Sequence, residues 1–387
     1  MKRRTILVFS TIGGVACAFG GLNARAANIA TRVDFKKLSQ QDQSLFAAAV
    51  ELMMKREASD PGSWYYLAAT HSHLDFKSRA ELLEAAKKDP GLLDIGKYID
   101  FDKLGKVPAG AQTTWNSCIH RGSKTGKGFF KAGHFQSWHR LYLETFETHF
   151  MTAVAAVAKD KGVKAGFNAL PYWDYFSDPT LPEIFRLEKL HGVDNPLFIS
   201  TREPALLDGS GGVSASREAM TATDMLHQPF SLPGHKVFGF DGLVEGRPHD
   251  VIHGQISGLM GMVPTAAWDP IFYLHHCNID RIWAAWASRQ PQSNAAPDAD
   301  SNWKNESFVF ITAKGQVLWN AERALQTNGY QYDSLEIKGA PPVPLQQPIK
   351  KPPQLNAGPS IQGMKPESLS KPLLVEVTSA GGYYLCR

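Results

Sequence analysis

The sequence predicts a mainly α-helical protein with long irregular loops and a short proline-rich C-terminal tail. The first observation behind this prediction is the segment FQSWHRLYLETFE at 135–147, whose apolar side chains recur at helical spacing. The second is FYLHHCNIDRIWAAW at 272–286, which follows the same period. The third is the pair His249 and His253, whose spacing puts both side chains on one face of a helix.

The chain begins with a segment that predicts export. Basic residues at positions 2–4 precede an apolar run from Ile6 to Phe19, and the sequence ARA at 24–26 is typical of a cleavage site. We therefore expect residues 1–26 to be a signal peptide. The adjacent arginines at positions 3 and 4 favour the bacterial twin-arginine route over an ordinary secretory signal. The mature protein is expected to be periplasmic or secreted.

Residues 27–338 are expected to form one domain of helices and loops. A helix from about Gln41 to Glu57 should end before the Ser-Asp-Pro-Gly sequence at 59–62, because those residues favour a turn. Further helices are expected at 64–71 and at about 77–88, and the helix that contains His139 is expected to continue to about residue 158. The segments at 92–133 and 171–247 are expected to be rich in loops.

The composition changes after Tyr332. Residues 339–387 are dense in proline, glutamine, lysine and serine, so they are expected to be a tail or linker. After the signal peptide no stretch approaches the apolar length of a membrane span, and no membrane partner is expected. A net charge of +4 is too small to indicate nucleic-acid binding.

Histidines cluster in two parts of the chain, which indicates metal binding. Downstream, His249 and His253 on one helix could be joined by His275 or His276 from a facing helix. Neutral imidazole is the commonest protein ligand for metals. A second set of three lies upstream and consists of His71, His120 and His139. All-imidazole ligation with a redox task favours copper and is compatible with zinc.

These motifs resemble those of the tyrosinase, catechol oxidase and molluscan haemocyanin family. The matching stretches are WHRLYLETFE, PHDVIH and DPIFYLHHCNIDRIW, and the resemblance runs from about Arg32 to Tyr332. It implies a four-helix bundle that holds a binuclear copper site in a catalytic domain. It assigns His71, His120 and His139 to one copper and His249, His253 and His276 to the other, with His275 behind the ligands.

The middle upstream ligand is open between two histidines. The family usually has it nine residues before the WHR histidine, where this chain has Phe130. His120 is favoured over His134, because Cys118 precedes it by two residues. In related proteins a cysteine at that offset forms a thioether bond with the ligand. The same bond is expected here between Cys118 and His120.

The resemblance also implies residues that act on substrate. Glu245 is four residues before the first ligand of the second copper, and Asp250 directly follows that ligand. Together they could hold a water molecule and accept the proton of a phenol. Met260 and Val263 are expected at the substrate entrance, and the small Val263 would admit a monophenol.

The implied function is that of a tyrosinase. Such an enzyme uses O2 to hydroxylate monophenols to o-diphenols and to oxidise these to o-quinones. The alternatives are a catechol oxidase or an o-aminophenol oxidase without monophenolase activity and, with less support, a haemocyanin-like oxygen carrier. A phenolic small molecule and O2 are the expected partners, and a copper-delivery protein is left open, as is the oligomeric state.

Three further expectations concern groups around the site. Asp269 and Asp280 are candidates to orient ligand imidazoles, the alternatives being a helix cap and an ion pair. The motif at 330–332 resembles one that packs near an early arginine in the family, here Arg32. The basic residues Arg121, Lys124, Lys127 and Lys131 could attract carboxylated phenols.

Overall fold

The longest helix in the described part of the chain, α6, spans Phe135–Asp160 and forms the centre of the core. In the computed structural model the apolar stripe of this helix is buried, including Trp138, Tyr142 and Phe146, while Glu144 and Glu147 lie at its edge. The model describes residues 29–72, 78–88, 92–108, 111, 133–214, 225–230, 239–289, 301–312, 315–326 and 329–338. The expected signal peptide and the tail at 339–387 lie outside these residues.

Two capped helices precede the core helix and pack close to it. Helix α1 (Gln40–Lys55) begins at Ser39, whose side chain accepts a hydrogen bond from the Asp42 amide, and it packs along α6. Helix α2 (Trp64–His71) begins at Ser63, which caps the Tyr66 amide. Every residue of α2 is buried, so the whole helix lies within the core. Its bounds are those the sequence predicts.

Short helices are present elsewhere in the described part of the chain. Helix α3 (Arg79–Ala86) lies in a range expected to be helical. Segments expected to be loop-rich contain α4 (Leu92–Ile95), α5 (Phe101–Leu104), α7 (Pro204–Leu207) and a 3-10 turn at Glu183–Phe185. Another 3-10 turn, Phe35–Lys37, precedes α1. A small hairpin pairs β2 (Lys189–Leu190) with β3 (Val193–Asp194). The third helix is therefore shorter than the range 77–88 expected for it.

The downstream histidines lie on a helical run that changes its winding. Helix α8 (Phe240–Val244) passes into a π-helical turn (Glu245–Asp250) and then into α9 (Val251–Ile256). The backbone of Arg247 leaves the helical region, so the regular helix resumes only after it. A 3-10 turn (Gly258–Gly261) and α10 (Val263–Ala266) follow. Helix α11 (Ile271–Ala287) is buried along nearly its whole length and packs against α6.

A second hairpin covers the core beyond α11. After α12 (Ser301–Asn305), strand β4 (Ser307–Thr312) pairs antiparallel with β5 (Gly315–Asn320), and a 3-10 turn (Ala321–Leu325) ends the segment. Phe308 and Phe310 point inward and are buried, whereas Leu318 is exposed. The sequence analysis did not predict this hairpin.

The two ends of the described domain meet in a parallel pair of strands. Strand β1 (Ala30–Arg32) pairs with β6 (Tyr330–Tyr332), so that Arg32 lies beside Tyr332. The fully buried guanidinium of Arg32 donates to the Tyr332 hydroxyl at 2.9 Å and to Asp280 at 3.0 Å. It also forms an ion pair with Glu147 on α6. The expected packing of the tyrosine motif near Arg32 is therefore present.

Candidate metal centre

Four helical elements bring six histidines into one buried cluster. Helices α2 and α6 each contribute one histidine, the run from the π-helical turn into α9 contributes two, and α11 contributes two. None of the six is more than 6% exposed. They are His71, His139, His249, His253, His275 and His276.

The two upstream histidines lie side by side against an aromatic wall. The ring centroids of His71 and His139 are 5.7 Å apart, and Trp138 packs against both, at 5.9 and 5.0 Å. Phe272 of α11 packs edge-on against His71 at 4.6 Å. Water is therefore excluded from this side of the cluster.

The downstream histidines form a set with metal-binding geometry. His249, His253, His275 and His276 can each offer one ring nitrogen, and these nitrogens all lie within 4.8 Å of one another. The closest pair is the Nε2 atoms of His253 and His276, at 3.1 Å. Four buried imidazoles at this spacing are sufficient for a metal site, and three would leave an open coordination position.

His276 joins the two sets, whereas His275 lies on the outer side of the second. The ring of His276 stacks on His139 at 4.6 Å and lies 4.8 Å from His249. The ring of His275 stacks on His249 at 5.5 Å and lies 5.7 Å from Tyr175. Both can offer a nitrogen to the converging set, so the assignment of His276 as ligand with His275 behind it stays a prediction.

Backbone carbonyls orient three of the imidazoles. The Nδ1 atom of His139 donates to the Phe135 carbonyl at 2.6 Å, that of His253 to the Met260 carbonyl at 2.8 Å, and that of His249 lies 3.2 Å from the Glu245 carbonyl. A carbonyl oxygen can only accept, so Nδ1 carries the proton and the Nε2 lone pair points away from it. A hydrogen bond from the nitrogen that does not bind the metal fixes the tautomer of a metal-binding histidine.

Burial keeps the histidines of α11 neutral. It lowers the pKa of His275 well below the usual value of 6.5, and nearby His253 and His249 lower it further. Burial and the neighbouring His139 act in the same way on the pKa of His276. Neutral imidazoles with converging Nε2 atoms fit a borderline-soft cation such as copper, because its charge replaces the missing protons.

A pocket opens on the cluster and contains the expected entrance residues. Its walls include the side chains of Met260 and Val263, and its described lining has no Phe, Tyr or Trp. The full set of lining residues is His71, His249, Asp250, His253, Met260, Gly261, Val263 and Ala266. A small aromatic molecule entering here would meet histidines of both sets.

The two acidic residues expected near substrate occupy different environments. Asp250 lines the pocket, its side chain is 20% exposed, and its Oδ1 lies 2.9 Å from Nδ1 of His249. Glu245 is one turn earlier, only 2% exposed, and is not part of the pocket wall. Their joint hold on a water molecule stays a prediction.

Several expectations concern residues that the structure leaves undescribed or positions elsewhere. Cys118, His120 and the basic residues at 121–131 lie outside the described residues. The alternative ligand His134 is described: its ring stacks on Trp303 at 5.2 Å and lies edge-on to Phe308. His134 is not among the four histidines whose nitrogens converge.

The carboxylates expected to orient imidazoles bind arginines instead. Asp269 accepts both bonds of a fork from Arg202, at 2.7 and 3.0 Å, and caps the Ile271 amide. Asp280 pairs with Arg32 and Arg140. Burial would raise the pKa of Asp280, but the two arginines hold it below its usual value. The alternatives of a cap and an ion pair therefore describe these residues correctly.

Two residues at the site were missed by sequence reasoning. The ring of Phe135 packs against His139 at 4.5 Å and His249 at 4.6 Å, so it lies between the two sets. Asp241 on α8 is 3% exposed and accepts a hydrogen bond from the Gln136 amide at 2.9 Å. The only available signal was its position four residues before Glu245 and eight before His249.

Comparison with known proteins defines the class of this site. The common central domain of tyrosinase matches residues 61–202 and 195–289. This match spans more than half of the chain, so the protein belongs to the tyrosinase family, whose cofactor is a pair of copper ions. The expectations of a family member, of a mainly helical fold around the histidines, and of binuclear copper are thereby confirmed.

Individual relatives are similar over large parts of the chain. Tyrosinase HcTyr1 of Hahella sp. (strain CCB-MM4) is 30% identical over 330 residues, which cover 78% of this chain and 63% of that protein. The tyrosinase of Streptomyces glaucescens is 29% identical over 48% of this chain and 74% of its own. The chain thus spans less than two thirds of the Hahella relative.

Among solved structures, latent apple tyrosinase has the same fold. It superposes with a TM-score of 0.53 at 21% identity, covering 81% of this chain and 64% of that chain. Within the residues described here, no helix combines the length and apolar character needed to cross a membrane.

Proposed function

We propose that the protein is a copper-dependent phenol oxidase that hydroxylates monophenols and oxidises o-diphenols to o-quinones with O2. The observation that carries this proposal is the convergence of two sets of buried imidazoles at a pocket with small apolar walls. Apart from the histidines and Asp250, the described lining consists of small or flexible apolar residues, with no aromatic ring to obstruct a phenol.

Each copper is assigned three histidine ligands. One is held by His71, His139 and the middle ligand His120, and the other by His249, His253 and His276. When bound, the copper pair supplies the binding and reduction of O2. The packing of Phe135 and Phe272 against these rings keeps the site dry, which strengthens electrostatic interactions within it.

The chain's own residues orient the substrate and take its proton. A free phenol has a pKa of about 10, so it needs an acceptor to become phenolate at neutral pH. Asp250 is the carboxylate in the pocket wall, and we assign the acceptor role to it, directly or through a water molecule. Glu245, buried one turn earlier, is assigned the support of that water.

Met260 and Val263 select the ring that enters. Met260 also fixes His253 through its backbone carbonyl, so the gate and a ligand share one segment of chain. We propose that this small gate admits monophenols as well as o-diphenols. Export through residues 1–26 and the thioether between Cys118 and His120 remain predictions from the sequence.

A comparison of L-tyrosine and L-DOPA as substrates tests the function. Purified protein with its copper content measured is supplied with each phenol under air, and quinone formation is followed. Quinone from both substrates is the expected result. Quinone from DOPA alone would favour a catechol oxidase. Turnover of o-aminophenols alone would favour an o-aminophenol oxidase, and reversible O2 uptake without turnover would favour an oxygen carrier.

A further inference from the structure

The N-terminus of the central helix is capped by a residue from another helix. His134 precedes α6 but its side chain makes no capping hydrogen bond. Asp241 of α8 fills this role: its Oδ1 accepts from the Gln136 amide at 2.9 Å, and the carboxyl group also accepts from the Phe135 amide. These are the first amides of α6, which have no partner within the helix itself.

Phe135 connects this cap to both sets of histidines. Its amide donates to Asp241, and its carbonyl accepts the Nδ1 hydrogen of His139 at 2.6 Å. Its ring contacts His139 at 4.5 Å and His249 at 4.6 Å, and lies 6.4 Å from His276. A shift of the Phe135 backbone would therefore move one imidazole directly and disturb the packing of two others.

The cap also begins a polar stripe along the downstream helical run. Asp241, Glu245, His249 and His253 follow one another at intervals of four residues, and none is more than 6% exposed. The run is not one regular helix, because Arg247 interrupts it within the π-helical turn. Asp241 at its start holds the N-terminus of α6, and the same continuous run presents two proposed copper ligands further on.

We infer that Asp241 is a positioning residue of the copper centre, which fixes Phe135 and His139 on α6 relative to His249 and His253. The inference rests on the ligands assigned under the proposed function. Asp241 does not line the pocket and has no role in that assignment. It acts as a hydrogen-bond acceptor between two elements that are far apart in sequence.

The charge of Asp241 is not needed for this role. Burial raises the pKa of its carboxyl group to about 7, with the Glu245 carboxylate adding to the rise and the Gln136 amide opposing it. Near neutral pH a large fraction of Asp241 is therefore the uncharged acid. Its carbonyl oxygen still accepts the amide hydrogen bonds, and the side-chain oxygen of an asparagine could do the same.

Two substitutions of Asp241 and one control test the inference. Asp241→Ala removes the acceptor, and Asp241→Asn keeps one. The control Ser39→Ala also removes a helix cap, but that of α1, which is remote from the histidines. Each copper-loaded protein is dialysed against a chelator, copper release is timed, and the electron paramagnetic resonance of the remaining Cu(II) is recorded, since a coupled copper pair gives no signal.

We expect Asp241→Ala to release copper about 10- to 100-fold faster than wild type, the range for loss of an outer-shell partner, and to show the signal of uncoupled Cu(II). Asp241→Asn and Ser39→Ala should resemble wild type. If Asp241→Ala does not fold, Asp241→Glu displaces the oxygen by one methylene and should release copper at an intermediate rate.

Three results would overturn the inference. The first is a wild-type rate of copper release with a silent spectrum for Asp241→Ala or, if that protein does not fold, for Asp241→Glu. The second is that Asp241→Asn releases copper as fast as Asp241→Ala. The third is that Ser39→Ala releases copper as fast as Asp241→Ala. A wild-type protein that holds fewer than two copper ions per chain would instead contradict the proposed function, so the two failures can be told apart.

Discussion

The main chain orients the imidazoles of His139 and His253, whereas the Nδ1 atom of His249 also lies 2.9 Å from the Asp250 carboxylate. His139 and His253 each donate Nδ1–H to a carbonyl, while Asp269 and Asp280 are occupied by arginines. The His139 bond reaches back one turn to Phe135, so the helix itself sets the ring orientation. The tautomer of His139 is consequently set by the position of the Phe135 carbonyl, that is, by backbone geometry.

Replacement of a proposed ligand should remove one copper ion per chain. We expect His139→Ala to bind about half the copper of wild type and to lose oxidase activity, because three nitrogens per metal is the minimum that this site offers. His149→Ala is the matched control, since His149 is also buried on α6 but lies remote from the cluster. Copper per chain is measured by atomic absorption. Equal copper loss in both variants would contradict the assignment of His139.

The neighbouring histidines of α11 should differ in the same assay. His276→Gln is expected to lose one copper ion, because His276 contacts histidines of both sets. His275→Gln is expected to retain two, because His275 lies on the far side, near Tyr175. If His275→Gln lost copper and His276→Gln kept it, the order of the two residues would have to be reversed.

At the scale of elements, a buried ionic network joins the ends of the domain to its two longest helices. Arg32 of β1 and Arg140 of α6 both bind Asp280 of α11, and both hydroxyls of the tyrosine motif donate to it. Asp280 lies one turn beyond His276, so the network holds the ligand helix in place.

Removal of the shared carboxylate should destabilise the whole domain. Asp280→Ala removes the carboxylate that pairs with buried Arg140 and one of the two that pair with buried Arg32, and we expect it to lower the free energy of unfolding by about 3–5 kcal/mol. The control Asp178→Ala breaks the ion pair between the half-exposed carboxylate of Asp178 and Lys36. It should lower the free energy of unfolding by less than about 1 kcal/mol. Urea unfolding of both copper-free variants gives the comparison. Similar losses in the two would mean that the network contributes little.

The sequence was sufficient for the helices with a strong apolar period. Helix α2 has the predicted bounds, and α6 ends within a few residues of the prediction, because the apolar stripe of α6 shows which face is buried and how far the helix extends. His249 in the π-helical turn, His253 on α9 and the adjacent pair on α11 were located from their spacing and motifs.

The remaining features depend on contacts between distant segments. Asp241 is an ordinary acidic residue in the sequence, and only the arrival of α6 beside α8 gives it the amides of Phe135 and Gln136 to bind. The β4–β5 hairpin has short strands with one buried face, a pattern too brief to separate from loop. The arginines that bind Asp269 and Asp280 lie far away in sequence. The sequence alone therefore could not show which of the roles considered for each aspartate it has.

At the scale of the whole molecule, Asp241 makes stability depend on pH. Its folded-state pKa of about 7 lies above the ordinary 3.8, so the folded protein binds more protons between these values and loses stability as pH rises through them. The buried histidines act in the opposite direction, because their lowered pKa makes acid destabilising. The contribution of Asp241 must therefore be measured as a difference.

Asp241→Asn cancels that contribution and leaves the histidines unchanged. In copper-free protein, the unfolding free energy of this variant relative to wild type should increase from pH 4 to pH 8 by up to about 4 kcal/mol, since each pKa unit corresponds to 1.36 kcal/mol. Urea titrations at a series of pH values measure it. A difference that stays constant with pH would mean that Asp241 ionises normally in the fold.

The parallel pairing of β1 with β6 places the first and last strands of the described domain side by side, with Ala30 opposite Tyr330. Because both strands run in the same direction, a linker from Lys338 to Ile29 has to run back along the strand pair to close the polypeptide into a ring. New ends could then be opened at the exposed bend of His191 and Gly192, remote from the histidine cluster. The domain is thus a candidate for circular permutation, in which the order of segments along the polypeptide changes while the fold is retained.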